Sequence, residues 1–242
     1  MVTPLRWPVL TAFSLIFAPS LATAQIPTLA NHRPIDPAPN VQDKGDIWTM
    51  HLEFKDPRMM VVDVPGRGKK VVWYMWYRVI NRTDREHTII PKFELVVPAK
   101  FSLDDEVLPA VQEAIRKVED PTDRYKVKNS VTISKTPIPP SKPEAAPRAV
   151  TGVAIWADVW DKARDLTDFS VVVSGISSGW SIDDDGKIYR KSLVIKYKRR
   201  GDGSRIDSSE IEYQSHQWYY HEQTGVNDLK PPKSVQPMTE KK

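Results

Sequence analysis

One stretch limits the folds open to this chain more than any other: VVWYMWYRVINRTDREHTIIPKFELVV, residues 71–97. Side chains alternate along a strand, so its first half places Val71, Trp73, Met75, Tyr77 and Val79 on one face and Val72, Tyr74, Trp76 and Ile80 on the other. Both faces need cover. At about 2 kcal/mol per buried side chain, the first face alone supplies on the order of 10 kcal/mol gross, comparable with the whole net stability of a domain. After the polar Asn81-Arg82-Thr83-Asp84, the stretch resumes with Ile89, Pro91, Phe93, Leu95 and Val97 and reads as an adjacent strand, Pro91 suggesting an edge or a bulge. Asn81-Arg82-Thr83 also matches the N-glycosylation pattern, but a polar strand end accounts for it.

More strands flank this stretch. Ile47 opens an alternation of Trp48, Met50, Leu52 and Phe54 against Thr49, His51, Glu53 and Lys55, the mark of a half-buried strand. Asp56-Pro57 turns the chain, 59–64 forms a second strand, and Pro65-Gly66-Arg67-Gly68 turns it again. Val127, Asn129, Val131 and Ile133 read as a further strand, and 150–157, 169–173, 189–198 and 210–220 as four more. The period changes once. SLDDEVLPAVQEAIRKVED sets Val107, Val111, Ala114, Ile115 and Val118 at helical spacing and predicts one helix over 103–119. Ser102 or Asp104 would cap it, acidic residues would occupy its first turn, and Asp120-Pro121 would stop it. Its polar face mixes both signs, so the apolar stripe is expected to pack on a sheet rather than a membrane. Prolines at 137, 139, 140, 143 and 147 exclude helix and regular sheet from 134–148, leaving a linker or a long ordered loop. The expected fold is mainly β: an immunoglobulin-like β-sandwich of about eight or nine strands spanning 46–222, one domain with the helix and the Pro-rich loop inserted.

The first residues specify a compartment. Arg6, an apolar run from Trp7 to Leu21 broken by Pro8 and Pro19, and Ala22-Thr23-Ala24 have the form of a signal peptide over 1–24 with cleavage before Gln25. Residues 25–45, rich in Pro, Asn and Asp, are expected to be an extended leader, and the polar tail 223–242 to be disordered. The chain has no Cys, which excludes disulfides, a lipid anchor on Cys, thiolate metal sites and Cys nucleophiles. A net charge of +4 over 242 residues is too nearly balanced to suggest a nucleic-acid partner. No later run is apolar enough to predict a transmembrane segment after the signal.

The segments VVWYMWYRVINRT, DEVLPAVQEAIRKVEDP, SVTISKTPIPPS, VTGVAIW, FSVVVSGISSG and KSLVIKYKRRGDG, in this order, resemble an uncharacterised family of secreted proteins from planctomycete bacteria. The resemblance runs from about Asp46 to about Tyr220. It implies an exported bacterial protein with a shared fold, and it carries no catalytic residue, because the family has no established activity.

Several constellations could carry chemistry. Gly175-Ile176-Ser177-Ser178-Gly179 fits G-x-S-x-G directly after an apolar strand, with Asp207 and His216 following in the order of a triad. A nucleophile elbow requires a helix after the Ser; here WSIDDDGK follows, an acidic loop with a Gly turn. Asp183 and Asp185 beside Gly186 suggest a surface calcium loop, but Ser181 and Ser192 stand where an EF-hand needs its first ligand and its bidentate Glu. No metal site and no cofactor are expected. Arg190, Lys196, Lys198 and Arg200 share one strand face, either a solvated outer surface or a contact for an acidic polysaccharide. Trp160 and Trp180 fall in expected loops and are the aromatic residues best placed to stack on a ligand. The expected function is a secreted, non-enzymatic module binding an envelope protein or polysaccharide; the alternative is a hydrolase using Ser177 or the nearby carboxylates.

Overall fold

The computed structural model describes residues 31–142, 145–201 and 203–222; the expected signal peptide and C-terminal tail lie outside the described residues. The fold is mainly β, with eleven strands among the described residues arranged as two antiparallel sheets. The first sheet has the order β1 (Arg33–Ile35), β2 (His51–Phe54), β4 (Gly68–Ile80), β3 (Arg58–Val64), with β7 (Val150–Trp156) also paired to β4. The second has the order β11 (Ile211–Glu222), β10 (Ile188–Arg199), β8 (Asp168–Ser174), β5 (Lys92–Val97), β6 (Phe101–Asp104), with β9 (Trp180–Ile182) also paired to β10. Strands from before and after the Pro-rich segment therefore pair in both sheets.

The expected central plank is β4. Trp73, Met75, Tyr77 and Val79 face the second sheet, where Tyr77 packs on Phe93 with ring centroids 4.3 Å apart and Trp73 meets Phe169 edge-on at 5.4 Å. Its other face, with Val72, Tyr74 and Trp76, belongs to a second apolar cluster with Val111 and Ile115 of the helix α1 (Pro109–Glu119). At Gly152 on β7 a Cβ would run into the Tyr77 ring, so a side chain there would displace the centre of the core. The two halves of the 71–97 stretch are not adjacent strands: β4 and β5 lie in opposite sheets and meet through side chains, because the polar turn after Ile80 carries the chain across the sandwich. Pro91 precedes β5, which is an interior strand.

Other differences have local causes. The helix begins at Pro109 rather than 103, since Phe101 and Leu103 alternate and pair with β5 as strand β6. Pro109, with its fixed φ, opens the helix after Leu108, without a side-chain cap and without acidic residues in its first turn. Residues 127–133 form no strand: the Asn129 side chain accepts from the Thr132 amide and Thr132 answers to the Asn129 amide, nucleating the short helix α2 (Ser130–Ile133). The expected leader is built into the fold from Arg33 onward, with β1 on an edge that tolerates Pro34, Ile35 buried, and Asp43 bonded to Lys191. The short β1, β6 and β9 bring the strands above the expected eight or nine. The Pro-rich segment is tied to the end of β4, where the fully buried Asn81 donates to the Ile138 carbonyl at 2.8 Å and its own carbonyl accepts from Ser141. Among the described residues no helix is long and apolar enough to cross a membrane.

Candidate functional site

The residues singled out in the sequence separate into buried, spent and available groups. Trp160 is not an exposed loop aromatic: it sits in the short helix α3 (Val159–Lys162) and is 7% exposed. Its ring lies 5.4 Å from the guanidinium of Arg199, which is itself buried beside Trp73 and donates to the Arg164 and Arg205 carbonyls. The sandwich thus uses Trp160 to enclose a buried cation. Asp183 is equally committed. Its Oδ1 accepts from the backbone amides of Asp185 and Lys187 and its Oδ2 from the Tyr189 hydroxyl. These bonds, the Lys187 amide foremost, hold its carboxyl below the usual range and close the β9–β10 hairpin. Asp185 lies exposed on that hairpin, and among the described residues no group of three His, Asp or Glu is arranged to hold a metal.

Ser177 lies where the chain leaves β8, after Gly175, whose positive φ brings its backbone so close to the Ile90 carbonyl that a Cβ would collide with it. The Ser177 hydroxyl donates to the Trp48 carbonyl at 3.0 Å, accepts from the Gly179 amide at 3.2 Å and lies 2.8 Å from the Thr49 hydroxyl. It ties the segment leading into β2 to the segment leaving β8. Asp207 accepts from Ser209 instead, and His216 pairs with Tyr213. The three are not brought together, and strand β9 follows the Ser in place of a helix.

What the structure does bring together is the outer face of the second sheet. Residues directly opposite each other in paired strands share a face. Arg190 is opposite both Trp180 and His221, Ser192 is opposite Tyr219, Val194 is opposite Val172 and Gln217, and Lys196 is opposite Ser170 and Ser215. Trp180, placed in a loop by sequence, is half-buried at the start of β9 and so joins the basic stripe of β10. Lys198 and Arg200 continue the stripe, but Arg200 is ion-paired with Glu212 at 2.8 Å, and Lys198 has Asp168 and Glu212 directly across from it.

A groove of about 290 Å³ runs over this face, floored by Val96, Val172 and Val194 and walled by Lys196, Tyr219 and His221. Val172 and Val194 are 4% and 5% exposed although they point away from the core, and they pair across the strands at the groove's floor. Tyr219 and His221 stand edge to face, with ring centroids 5.8 Å apart. Burial, and then the Glu94 carboxylate, raise the Tyr219 hydroxyl above its ordinary value, so it is a neutral donor at the groove wall. Sequence reasoning missed Tyr219, His221 and Gln217. The alternation of β11 was visible, but only the pairing with β10 shows that these residues flank Arg190 and Lys196.

A larger hollow of about 530 Å³ lies at Lys55, Arg58, Tyr74 and Ser208, but three of these side chains are turned to one carboxylate. Lys55, Arg58 and the Tyr74 hydroxyl all converge on Glu119 at 2.6 to 2.8 Å, and Ser208 accepts from the Met59 amide. That arrangement stabilises the end of α1 against the sheet. Comparison with protein-family models, curated proteins and solved structures finds no match for this chain.

Proposed function

We propose that the protein is a non-enzymatic module of the cell envelope or extracellular space that holds a polysaccharide against the outer face of its second sheet. One observation carries this reading: Trp180, Arg190, Tyr219 and His221, from three strands, stand side by side on a face that keeps an apolar floor and no covering helix among the described residues. Aromatic rings offer flat apolar surfaces to the faces of sugar rings, while Gln217, Ser170 and Ser215 offer hydrogen bonds to hydroxyls. An open groove lined from four neighbouring strands, β5, β8, β10 and β11, suits a polymer laid across the sheet better than the flat patch a folded protein requires. Export is supported by the signal-peptide pattern of residues 1–24, in keeping with the resemblance to secreted planctomycete proteins. The hydrolase alternative gains nothing from Ser177, whose hydroxyl is engaged by Trp48, Thr49 and Gly179.

The test is a glycan array probed with the purified protein, beside a pull-down from envelope extracts. Retention on polysaccharide that Trp180→Ala reduces at least about tenfold supports the reading, since stacking aromatics carry much of such binding energy. Capture of a protein partner with no glycan retained would overturn it.

A further inference from the structure

Resting on that reading, we infer that the polysaccharide is acidic and sparsely charged, a uronate-containing chain whose carboxylates meet Lys196 in the groove wall and Arg190 beyond the groove, across from its His221 wall. The observation is the pairing of charges across the sheet. Most cations of this sheet are answered: Lys92 by Asp104 at 3.0 Å, Lys187 by Glu222 at 3.4 Å, Arg200 by Glu212 at 2.8 Å and the buried Lys191 by Asp43 at 2.6 Å. Lys198, though it makes no close pair, has a carboxylate on each side. Arg190 and Lys196 differ. Both are exposed, neither makes an ion pair with a described residue, and their cross-strand neighbours are Trp180 and His221 for one and Ser170 and Ser215 for the other. Two uncompensated cations therefore flank an apolar and aromatic floor.

Their separation indicates the kind of polyanion. Six residues along a strand at a rise of about 3.3 Å span about 20 Å, a length that several sugar rings cover end to end. Between and beside the two cations lie Tyr219, Val194 and Val172, then Glu94 and Asp168, which leave no basic track. A nucleic acid strand, with a charge about every 3.4 Å, or a heavily sulfated glycan would set uncompensated anions over that floor and against those carboxylates. A chain with a carboxylate on only some of its rings meets both cations and lays its uncharged faces on Tyr219 and Trp180. The planar Arg190 guanidinium suits a carboxylate in particular, because it can donate to both oxygens at once.

The experiment is calorimetric titration of the purified protein with hyaluronan and polygalacturonate fragments, with the same fragments after carboxyl reduction, and with neutral dextran and dextran sulfate. We expect a uronate glycan to bind, its affinity to fall as salt rises, and Arg190→Gln and Lys196→Gln each to weaken it about fivefold, as losing one exposed charge pair does. Both side chains are solvent-exposed, so an unchanged melting temperature certifies the fold of each variant. Equal binding of native and carboxyl-reduced fragments would overturn the acidic assignment and leave the polysaccharide reading standing. No binding of any glycan in either form would remove both. Tightest binding to dextran sulfate, weakened as much by Lys69→Gln on the first sheet as by Lys196→Gln, would show generic polyanion attraction and overturn the inference.

Discussion

The two sheets treat their outer faces in opposite ways. On the first sheet the outward residues Val72, Tyr74, Trp76, Val153 and Ile155 are apolar, and α1 closes over them with Val111 and Ile115 to make a second core. Where that face turns polar it is still shut, with Glu53 2% exposed and donated to by Arg78 at 2.8 Å. Burial there outweighs the guanidinium and raises the Glu53 carboxyl above its ordinary value. On the second sheet the outward positions mix Ser, Lys, Gln, Tyr and Val, and Lys196, Ser215 and Gln217 among them are exposed. The same alternation along a strand thus builds a cover-seeking face in one sheet and a solvent-meeting face in the other. The apolar floor on that side, at Val172 and Val194, is the feature on which the proposed binding surface rests.

The largest expected effect tests the covered side. Trp76 is 1% exposed, stands edge-on to Tyr125 at 5.4 Å and carries the Lys55 ammonium 4.8 Å above its ring. Trp76→Ala should cost about 3–5 kcal/mol in urea unfolding, the range for deleting a buried aromatic. A loss below about 1 kcal/mol would mean that the helix covers nothing of consequence, and the contrast between the faces would fail.

Glu119 gives the next effect. Its side chain is 2% exposed and accepts from Lys55, Arg58 and Tyr74. Burial alone would raise its carboxyl, but the bonds from Lys55 and Tyr74 hold it below the ordinary range. A depressed folded pKa contributes stability that is present above the unfolded value, near about 4.3, and is lost as pH falls through the folded one. Glu119→Gln should therefore cost about 1.5–3 kcal/mol at pH 7 and flatten the acid limb of the stability profile. An acid limb as steep as that of the parent protein would place the acid sensitivity elsewhere.

Much of this contrast was legible in the residues. The unbroken apolar character of β4 demanded cover on both sides, and the period change near Val111 supplied the covering helix. The strands over 150–157, 169–173, 189–198 and 210–220 were visible because each alternates over seven residues or more or runs apolar between turns. The failures lie where local chemistry competes with period. Val127, Val131 and Ile133 have strand spacing, but the capping pair Asn129 and Thr132 wins over so short a span. Phe101 and Leu103 are too few to announce a strand without β5 beside them. Trp160 looked free because burial by a four-residue helix leaves no periodic trace. The candidate face was half legible: Arg190 and Lys196 were found as a stripe, whereas joining Trp180, Tyr219 and His221 to them requires a register that a single sequence does not contain.

The smallest expected effect is the most discriminating. Arg190 and Lys191 are neighbours on β10, so they point to opposite faces of one sheet. Lys191 points inward, with a side chain 3% exposed, and bonds to Asp43 at 2.6 Å. Burial works against the Asp43 carboxylate, yet the Lys191 ammonium, the Asn40 amide and the Tyr220 hydroxyl together hold its pKa below the ordinary value. Two adjacent cations of equal charge should thus behave differently, one as part of the fold and the other as part of the surface. Arg190→Gln should change unfolding free energy by no more than about 0.5 kcal/mol, as substitutions of exposed, unpaired side chains do. A loss above about 1 kcal/mol, measured by urea unfolding, would show that Arg190 is anchored to the sheet. The second outer face would then be closed at that end by its own charges, as the first is by Glu53 and Arg78, and would keep only Lys196 for a ligand.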